Sequence, residues 1–220
     1  MSEKEKMLNG ELYMADADET LFNERMKCKV LCHKYNNLSP DKLEERQELI
    51  RQIVGKTKSK FHIEQSFYCD YGYNIEIGEN FYSNHNLVIL DCAKVKFGDN
   101  VFIGPNCGFY TAEHPIDVQT RNKGLEYAKP ITVGNNVWIG GGVQVIAGVT
   151  IGNNVVIAAG AVITKNIPDN CLVAGVPAKK IKDIKNWENI KPCLYKLRMF
   201  TKKITLYNFI QNVIIYKAKI

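Results

Sequence analysis

The stretch Ile131-Thr-Val133-Gly-Asn-Asn-Val137-Trp-Ile139-Gly-Gly-Gly-Val143-Gln-Val145-Ile-Ala-Gly-Val149-Thr-Ile151-Gly-Asn-Asn-Val155-Val-Ile157 decides the fold. An apolar residue returns every six positions at Val133, Ile139, Val145, Ile151, Ile157 and Ile163. A second apolar set stands four places after each of the first five, at Val137, Val143, Val149, Val155 and Ala161. A helix would repeat near 3.6 residues and a half-buried strand at 2, so neither fits. Short strands of β-branched residues joined by tight Asn/Gly corners do fit. Three such strands close one coil of about 18 residues, and stacked coils bury the aliphatic positions as inward ladders. This is a parallel β-helix.

Working outward, the repeat is legible but less regular upstream. Ile75-Glu-Ile77-Gly78-Glu-Asn80 and Val95-Lys-Phe97-Gly98-Asp-Asn100 echo Ile131–Asn136, and Phe97, Ile103 and Phe109 keep the step of six. The period fails between Tyr110 and Pro130, where Thr111-Ala-Glu-His-Pro-Ile-Asp117 is polar and turn-forming. The segment 111–130 is expected to be a loop extruded from the stack, the usual place for function in a solenoid. Residues 1–56 have helical character. Asp18 or Thr20 can cap one helix, and Ser39-Pro40-Asp41 reads as the start of another, with Pro at its first position. The β-helix is expected over 57–185, with Asn166-Ile-Pro168 and Gly175-Val-Pro177 ending its regular pattern, and 186–220 form an extension.

The 220 residues are 45% apolar and 24% charged with a net charge of +6, ample for a packed core and unlike a disordered chain. No run approaches the roughly 18 apolar residues of a membrane span. The opening Met-Ser-Glu-Lys-Glu-Lys lacks the apolar core of a secretory signal, so a cytoplasmic location is expected. Seven cysteines without framework spacing fit a reducing compartment. Cys28 and Cys32, four apart without any Cys-x-x-Cys, read as packed thiols rather than a zinc site.

The charge is uneven. Residues 191–220 hold seven basic and no acidic residues, leaving 22 basic against 23 acidic in 1–190. A nucleic-acid binder interleaves its cations with its folded motif, so nucleic acid is not an expected partner. Leu197, Phe200, Ile204, Tyr207, Ile210 and Ile214 recur at helical spacing beside Lys196, Arg198, Lys202 and Lys203. That allows a membrane-surface helix, although packing on the protein itself is the favoured reading.

Six stretches of sequence carry a family likeness. Asn135-Asn-Val-Trp-Ile-Gly-Gly141, Gly148-Val-Thr-Ile-Gly-Asn153 and Ala174-Gly-Val-Pro-Ala178 resemble the hexapeptide-repeat acyltransferases. Glu5-Lys-Met-Leu-Asn-Gly-Glu-Leu-Tyr13, Cys69-Asp-Tyr-Gly-Tyr-Asn74 and Thr111–Asp117 are similar to the maltose and galactoside O-acetyltransferase family. The likeness covers about residues 3–185. It implies a left-handed β-helix, a homotrimer with sites between subunits, and direct transfer of acetyl from acetyl-CoA to a sugar hydroxyl without a metal.

The resemblance also distributes roles. A hydroxyl needs a base as it attacks a thioester, and His114 matches the family's catalytic histidine. Asn84 matches the position that steadies the transition state, and the Gly141 N–H the thioester-side donor. Asp70, Tyr82, Asn84 and Asp91 match or neighbour sugar-site positions, and Asp16 falls one residue out of register with another. His85, between Asn84 and Asn86, is a further cleft candidate. For coenzyme A, the matches are Ala159, Thr164 and Lys165, with Lys179 and Lys182 as cations for the nucleotide end. Trp138 either flanks the pantetheine arm or is buried in the β-helix. Asp70 agrees with the maltose type, whereas galactoside enzymes carry Ser there and Asp where this chain has Cys92. The alternatives are an acceptor that is a cell-surface polysaccharide unit or other small hydroxyl compound, and, in another class, a trimeric β-helix carbonic anhydrase. The latter needs histidine pairs reaching one cleft, which His114 and His62 do not supply.

Overall fold

A computed structural model of the chain describes residues 1–185. The helix expected over 194–217, and the membrane contact weighed for it, lie outside these residues. No helix among the described residues is long and apolar enough to cross a membrane.

The chain winds through three parallel sheets in turn. The first face stacks Lys56–Thr57, Ile75–Ile77, Val95–Phe97, Ile131–Val133 and Thr150–Ile151. The second stacks Phe61–Ile63, Phe81–Ser83, Val101–Ile103, Val137–Ile139, Val155–Ile157 and Cys171–Ala174. The third stacks Phe67–Cys69, Leu87–Leu90, Gly108–Tyr110, Gln144–Val145 and Val162–Ile163. This is the parallel β-helix that the period of six predicts. Every three-residue strand but Gly108–Tyr110 buries its outer two positions and turns the middle one outward, as in Ile131–Val133 and Val137–Ile139. Each buried Val or Ile contributes about 1.5–3 kcal/mol. Where the period loosens, aromatic residues fill the wider coils, and Phe97 meets the rings of Phe81 and Phe109 edge-on at 5.1 and 5.0 Å.

The corners explain the Asn/Gly spacing. Asn80, Asn100, Asn136, Asn154 and Asn170 all adopt left-handed backbone, with φ between 53° and 57°. Asparagine tolerates that conformation because its short side chain finds hydrogen bonds nearby. Here the partner is the next coil: Asn80 donates to Asn100, and Asn100 to Asn136, each at 3.0 Å.

The N-terminal segment is helical with one exception. The helices α1 (Glu3–Leu8), α2 (Glu19–Asn36) and α3 (Leu43–Ile53) are joined to the body by a short strand, Tyr13–Met14. Asp18, not Thr20, caps α2 by accepting from the Leu21 N–H at 2.8 Å. α3 begins three residues after Pro40, because Ser39–Leu43 closes a turn, with the Lys42 N–H on the Ser39 carbonyl. Buried Cys28, Cys32 and Tyr35 of α2, and Ile50 and Ile53 of α3, join the core of the first coil.

The segment 111–130 is more ordered than a loop. Ala112–Glu113 pairs antiparallel with Leu125–Ala128, which pairs antiparallel with Tyr13–Met14. A short helix α4 (Val118–Asn122), capped by Asp117, turns the ribbon at its tip. The stack also runs further than Asn166-Ile-Pro168 suggests. Ile167 bridges to Ile151, Cys171–Ala174 adds a strand, and Lys179–Asp183 folds back antiparallel upon it.

Candidate active site

The ribbon carries His114 directly after its first strand. Its Nδ1 lies 3.2 Å from the Leu125 carbonyl oxygen on the opposing strand. A carbonyl only accepts, so in the neutral ring the proton sits on Nδ1 and the lone pair on Nε2. Pro115 fixes the backbone beyond, and the ring is 58% exposed. Glu126, on the strand facing it, brings a carboxylate oxygen 4.0 Å from Nε2. The Tyr13 hydroxyl donates to the other Glu126 oxygen, so the N-terminal strand fixes this carboxylate in place.

His114 and Glu126 wall a cavity of about 510 Å³, together with Asp16, Arg25, Asp70 and Cys92. That size suits a small-molecule ligand. Asp16 is almost fully exposed, yet its carboxylate accepts from Arg25 at 2.8 Å. Arg25 also donates to the Tyr71 hydroxyl and the Ala15 carbonyl, so one guanidinium sets both the N-terminal segment and the first coil. Burial pushes the Asp70 carboxyl up, against the opposing pull of Arg25. Cys92 donates its thiol to Asp70 at 3.7 Å.

Asp91 does not reach this cavity. It is 0% exposed, and its carboxylate accepts from the backbone N–H groups of Asp70 and Tyr71 at 3.0 and 2.9 Å. A group with no open surface cannot pair a sugar hydroxyl, so the expectation of direct contact is corrected: Asp91 positions Asp70. Burial, with the charge of Asp70 added, pushes its carboxyl up to about 6.

Tyr82 and Asn84 stand elsewhere. Tyr82 points outward from the second face in a column with His62, Phe102, Trp138, Val156 and Leu172. Trp138 is 60% exposed, which rejects its burial in the β-helix. Asn84 begins the corner between the second and third faces, where its side chain accepts from the His85 N–H. His85 turns its Nδ1 to the Gln65 carbonyl, so that ring nitrogen serves the corner itself.

Gly141 lies on the same corner two coils on. Its neighbours Gly140 and Gly142 donate to Ile157 and Pro105 at 2.8 Å, whereas the Gly141 N–H meets no acceptor among the described residues. A Cβ at Gly140 would sit 2.6 Å from the Ala159 nitrogen, so close coil stacking requires glycine there. Ala159 is exposed in the coil beyond. Lys179 and Lys182 are exposed on the antiparallel strand of the second face, while Thr164 and Lys165 are exposed after the last strand of the third. One chain therefore gathers Asp16, Asp70 and His114 in a single cavity. It leaves Tyr82 and Trp138 on the second face, and Asn84 and Gly141 on the corner that follows it.

Sequence reasoning missed Glu126, Arg25 and the part played by Tyr13. Glu126 and Tyr13 are 113 residues apart, and only the ribbon pairing joins them. Had the ribbon been inferred, the carboxylate opposite His114 would have been the signal.

Coils of six-residue steps with a histidine ribbon at their side define the class of hexapeptide-repeat acyltransferases. Residues 6–58 match the maltose acetyltransferase hexapeptide capping motif, and residues 130–165 match the bacterial transferase hexapeptide with six repeats. A candidate acetyltransferase of Saccharomyces cerevisiae is 55% identical over 180 residues, covering 82% of this chain and 92% of the relative. A maltose O-acetyltransferase from Clostridium difficile superposes with a TM-score of 0.83 at 50% identity, covering 84% of this chain and 99% of that one. A galactoside acetyltransferase in complex with coenzyme A gives 0.82 at 41% identity, over 86% and 94%. A Vibrio cholerae hexapeptide-repeat acetyltransferase with acetyl coenzyme A gives 0.78 at 37%, over 84% and 100%. The chain belongs to the maltose and galactoside O-acetyltransferase family of hexapeptide-repeat acetyltransferases.

Proposed function

We propose that the chain transfers acetyl from acetyl-CoA to a hydroxyl of a maltose- or glucose-like sugar, in a site completed by a neighbouring copy of a homotrimer. The observation that carries this reading is His114, held at Nδ1 by the Leu125 carbonyl and lining one cavity with Asp16, Asp70 and Arg25. In the reaction Nε2 takes the hydroxyl proton as the oxygen attacks the thioester carbon. The Gly141 N–H and Asn84 hold the oxyanion, and collapse expels the coenzyme A sulfur, which takes the proton back from His114. Glu126 attracts the positive charge the ring carries between these steps.

The separation of Tyr82, Asn84 and Gly141 from the cavity supports a shared site, since a neighbour's second face can supply what each cavity lacks. Coenzyme A would then lie along that face, past Trp138 and Ala159, towards Thr164, Lys165, Lys179 and Lys182. Carboxylates at Asp16 and Asp70 and the guanidinium of Arg25 suit several sugar hydroxyls at once. No step calls for a metal.

The test is release of free thiol from acetyl-CoA across a panel of sugars. We expect maltose or glucose to support turnover, and His114→Ala to lower it about 10²–10⁴-fold. Near-full activity of that variant overturns the base, and thiol release with no sugar in the panel overturns the acceptor class.

A further inference from the structure

Three cysteines that acetyl transfer does not use converge beneath the N-terminal helices. Cys28 and Cys32 lie one turn apart on α2, and Cys69 ends the first strand of the third face. The Cys28 and Cys69 sulfurs are 3.4 Å apart, those of Cys32 and Cys69 3.8 Å, and all three lie within 4.8 Å of one another. Each is at most 6% exposed.

Buried cysteines usually act as small apolar residues, and this molecule shows what that looks like. Cys107 and Cys171 are each buried alone, and each donates its thiol to a backbone carbonyl at 3.2 Å. The trio also points sulfur at sulfur, although Cys28 reaches the Cys69 carbonyl as well, at 3.7 Å. Zinc–thiolate bonds of about 2.3 Å in tetrahedral geometry place ligand sulfurs about 3.8 Å apart. The two Cys69 pairs lie within a few tenths of an ångström of that spacing, and the Cys28–Cys32 pair, within 4.8 Å, reaches it with a shift of at most about 1 Å.

The surroundings complete the argument. A cavity of about 370 Å³ opens against Cys32 and Cys69, giving an ion a way in and leaving room for a water as fourth ligand. Lys29 lines the same cavity, and its charge offsets part of the negative charge that three thiolates bring. The i, i+4 pair on one helix and a third ligand from a rigid strand form a prearranged set.

We propose that Cys28, Cys32 and Cys69 form a three-thiolate site for zinc, completed by one water. On binding, the three thiols release their protons to solvent as three metal–sulfur bonds form, with no change of oxidation state. The ion would clamp α2 to the first coil immediately beside Asp70. Its role is structural and separate from the acetyl-transfer step.

Cadmium, a thiophilic spectroscopic substitute for zinc, tests the proposal on the full chain, reduced and freed of metal without air. One equivalent should survive desalting, show thiolate-to-metal charge transfer in the ultraviolet, and be displaced by excess zinc. X-ray absorption at the cadmium edge should count three sulfur neighbours, a readout that needs no variant. Cys28→Ser and Cys69→Ser should each weaken binding at least about 100-fold, converting to about 3 kcal/mol. Cys107→Ser and Cys171→Ser should leave it unchanged. Failure to retain cadmium, a count of fewer than three sulfurs, or undiminished binding by Cys69→Ser overturns the site.

Discussion

At the residue scale, two carboxylates, one beside His114 and one behind Asp70, do opposite work. Glu126 is fixed by Tyr13 and stands 4.0 Å from the nitrogen that becomes positive during turnover. Glu126→Gln keeps an acceptor for the Tyr13 hydroxyl but removes the charge. It should lower kcat about 10-fold, the value of roughly 1.4 kcal/mol at the transition state, with little change in KM. An equal rise in KM at constant kcat would show that Glu126 binds sugar instead. Asp91 is charged at a cost. Its folded-state pKa of about 6 lies above the ordinary 3.8, so the folded chain holds the proton more tightly than the unfolded one. Stability from this group is complete below about pH 4 and falls by about 3 kcal/mol as pH rises through 6. Chemical denaturation between pH 4 and 7 should show that slope in the wild type and a flatter one in Asp91→Asn. Identical slopes would show that its backbone hydrogen bonds, not burial, set its protonation.

At the element scale, the coil corner is the unit that turns sequence into shape. Asn100 combines a φ of 56° with hydrogen bonds to the coils on either side. Asn100→Ala loses both side-chain bonds and strains the backbone, and should cost about 2–4 kcal/mol. Asn100→Gly loses the bonds without the strain and should cost about 1 kcal/mol less. The difference, read from denaturation midpoints at one protein concentration, separates the two contributions. Equal losses would assign everything to the ladder. These corners are also why the fold was legible. A step of six with Asn or Gly at its end writes the β-helix into the chain wherever side chains are uniform, as from Val133 to Ile163. The ribbon was not legible, because its register depends on Tyr13 meeting Glu126 across more than a hundred residues. The same holds for Cys69 beneath Cys28, since a sulfur cluster assembled from a helix and a distant strand leaves no spacing to read. Asp91 was misplaced for a subtler reason. It adjoins Cys92, which does line the cavity, and in a strand end one residue decides between inside and outside.

At the scale of the whole molecule, the division of the site residues between a cavity and a separate face makes a prediction about mixing. Chains carrying His114→Ala should be inactive, as should chains carrying Asn84→Ala. Co-expressed in equal amounts, they should recover about a quarter of wild-type sites, because a neighbour's Asn84 then completes an intact His114 at that frequency in a random ring. No recovery would place both residues of a working site in one chain. The count of charged residues separates a near-neutral body from a basic tail, and the described residues contain every candidate for acetyl transfer.

The strand Lys179–Asp183 has one more consequence. A stack of parallel coils has no natural end, since each finished coil presents a bare row of backbone donors and acceptors to the next. At the start of this stack, α2 and α3 pack against the first coil. At its other end, Lys179–Asp183 runs the opposite way along Cys171–Ala174 and presents Lys179, Lys180 and Lys182. A reversed, lysine-bearing edge is a poor template for another coil. The second face is thereby closed to end-to-end growth, and a fold built on the same repeating geometry as a fibril is kept to a finite particle.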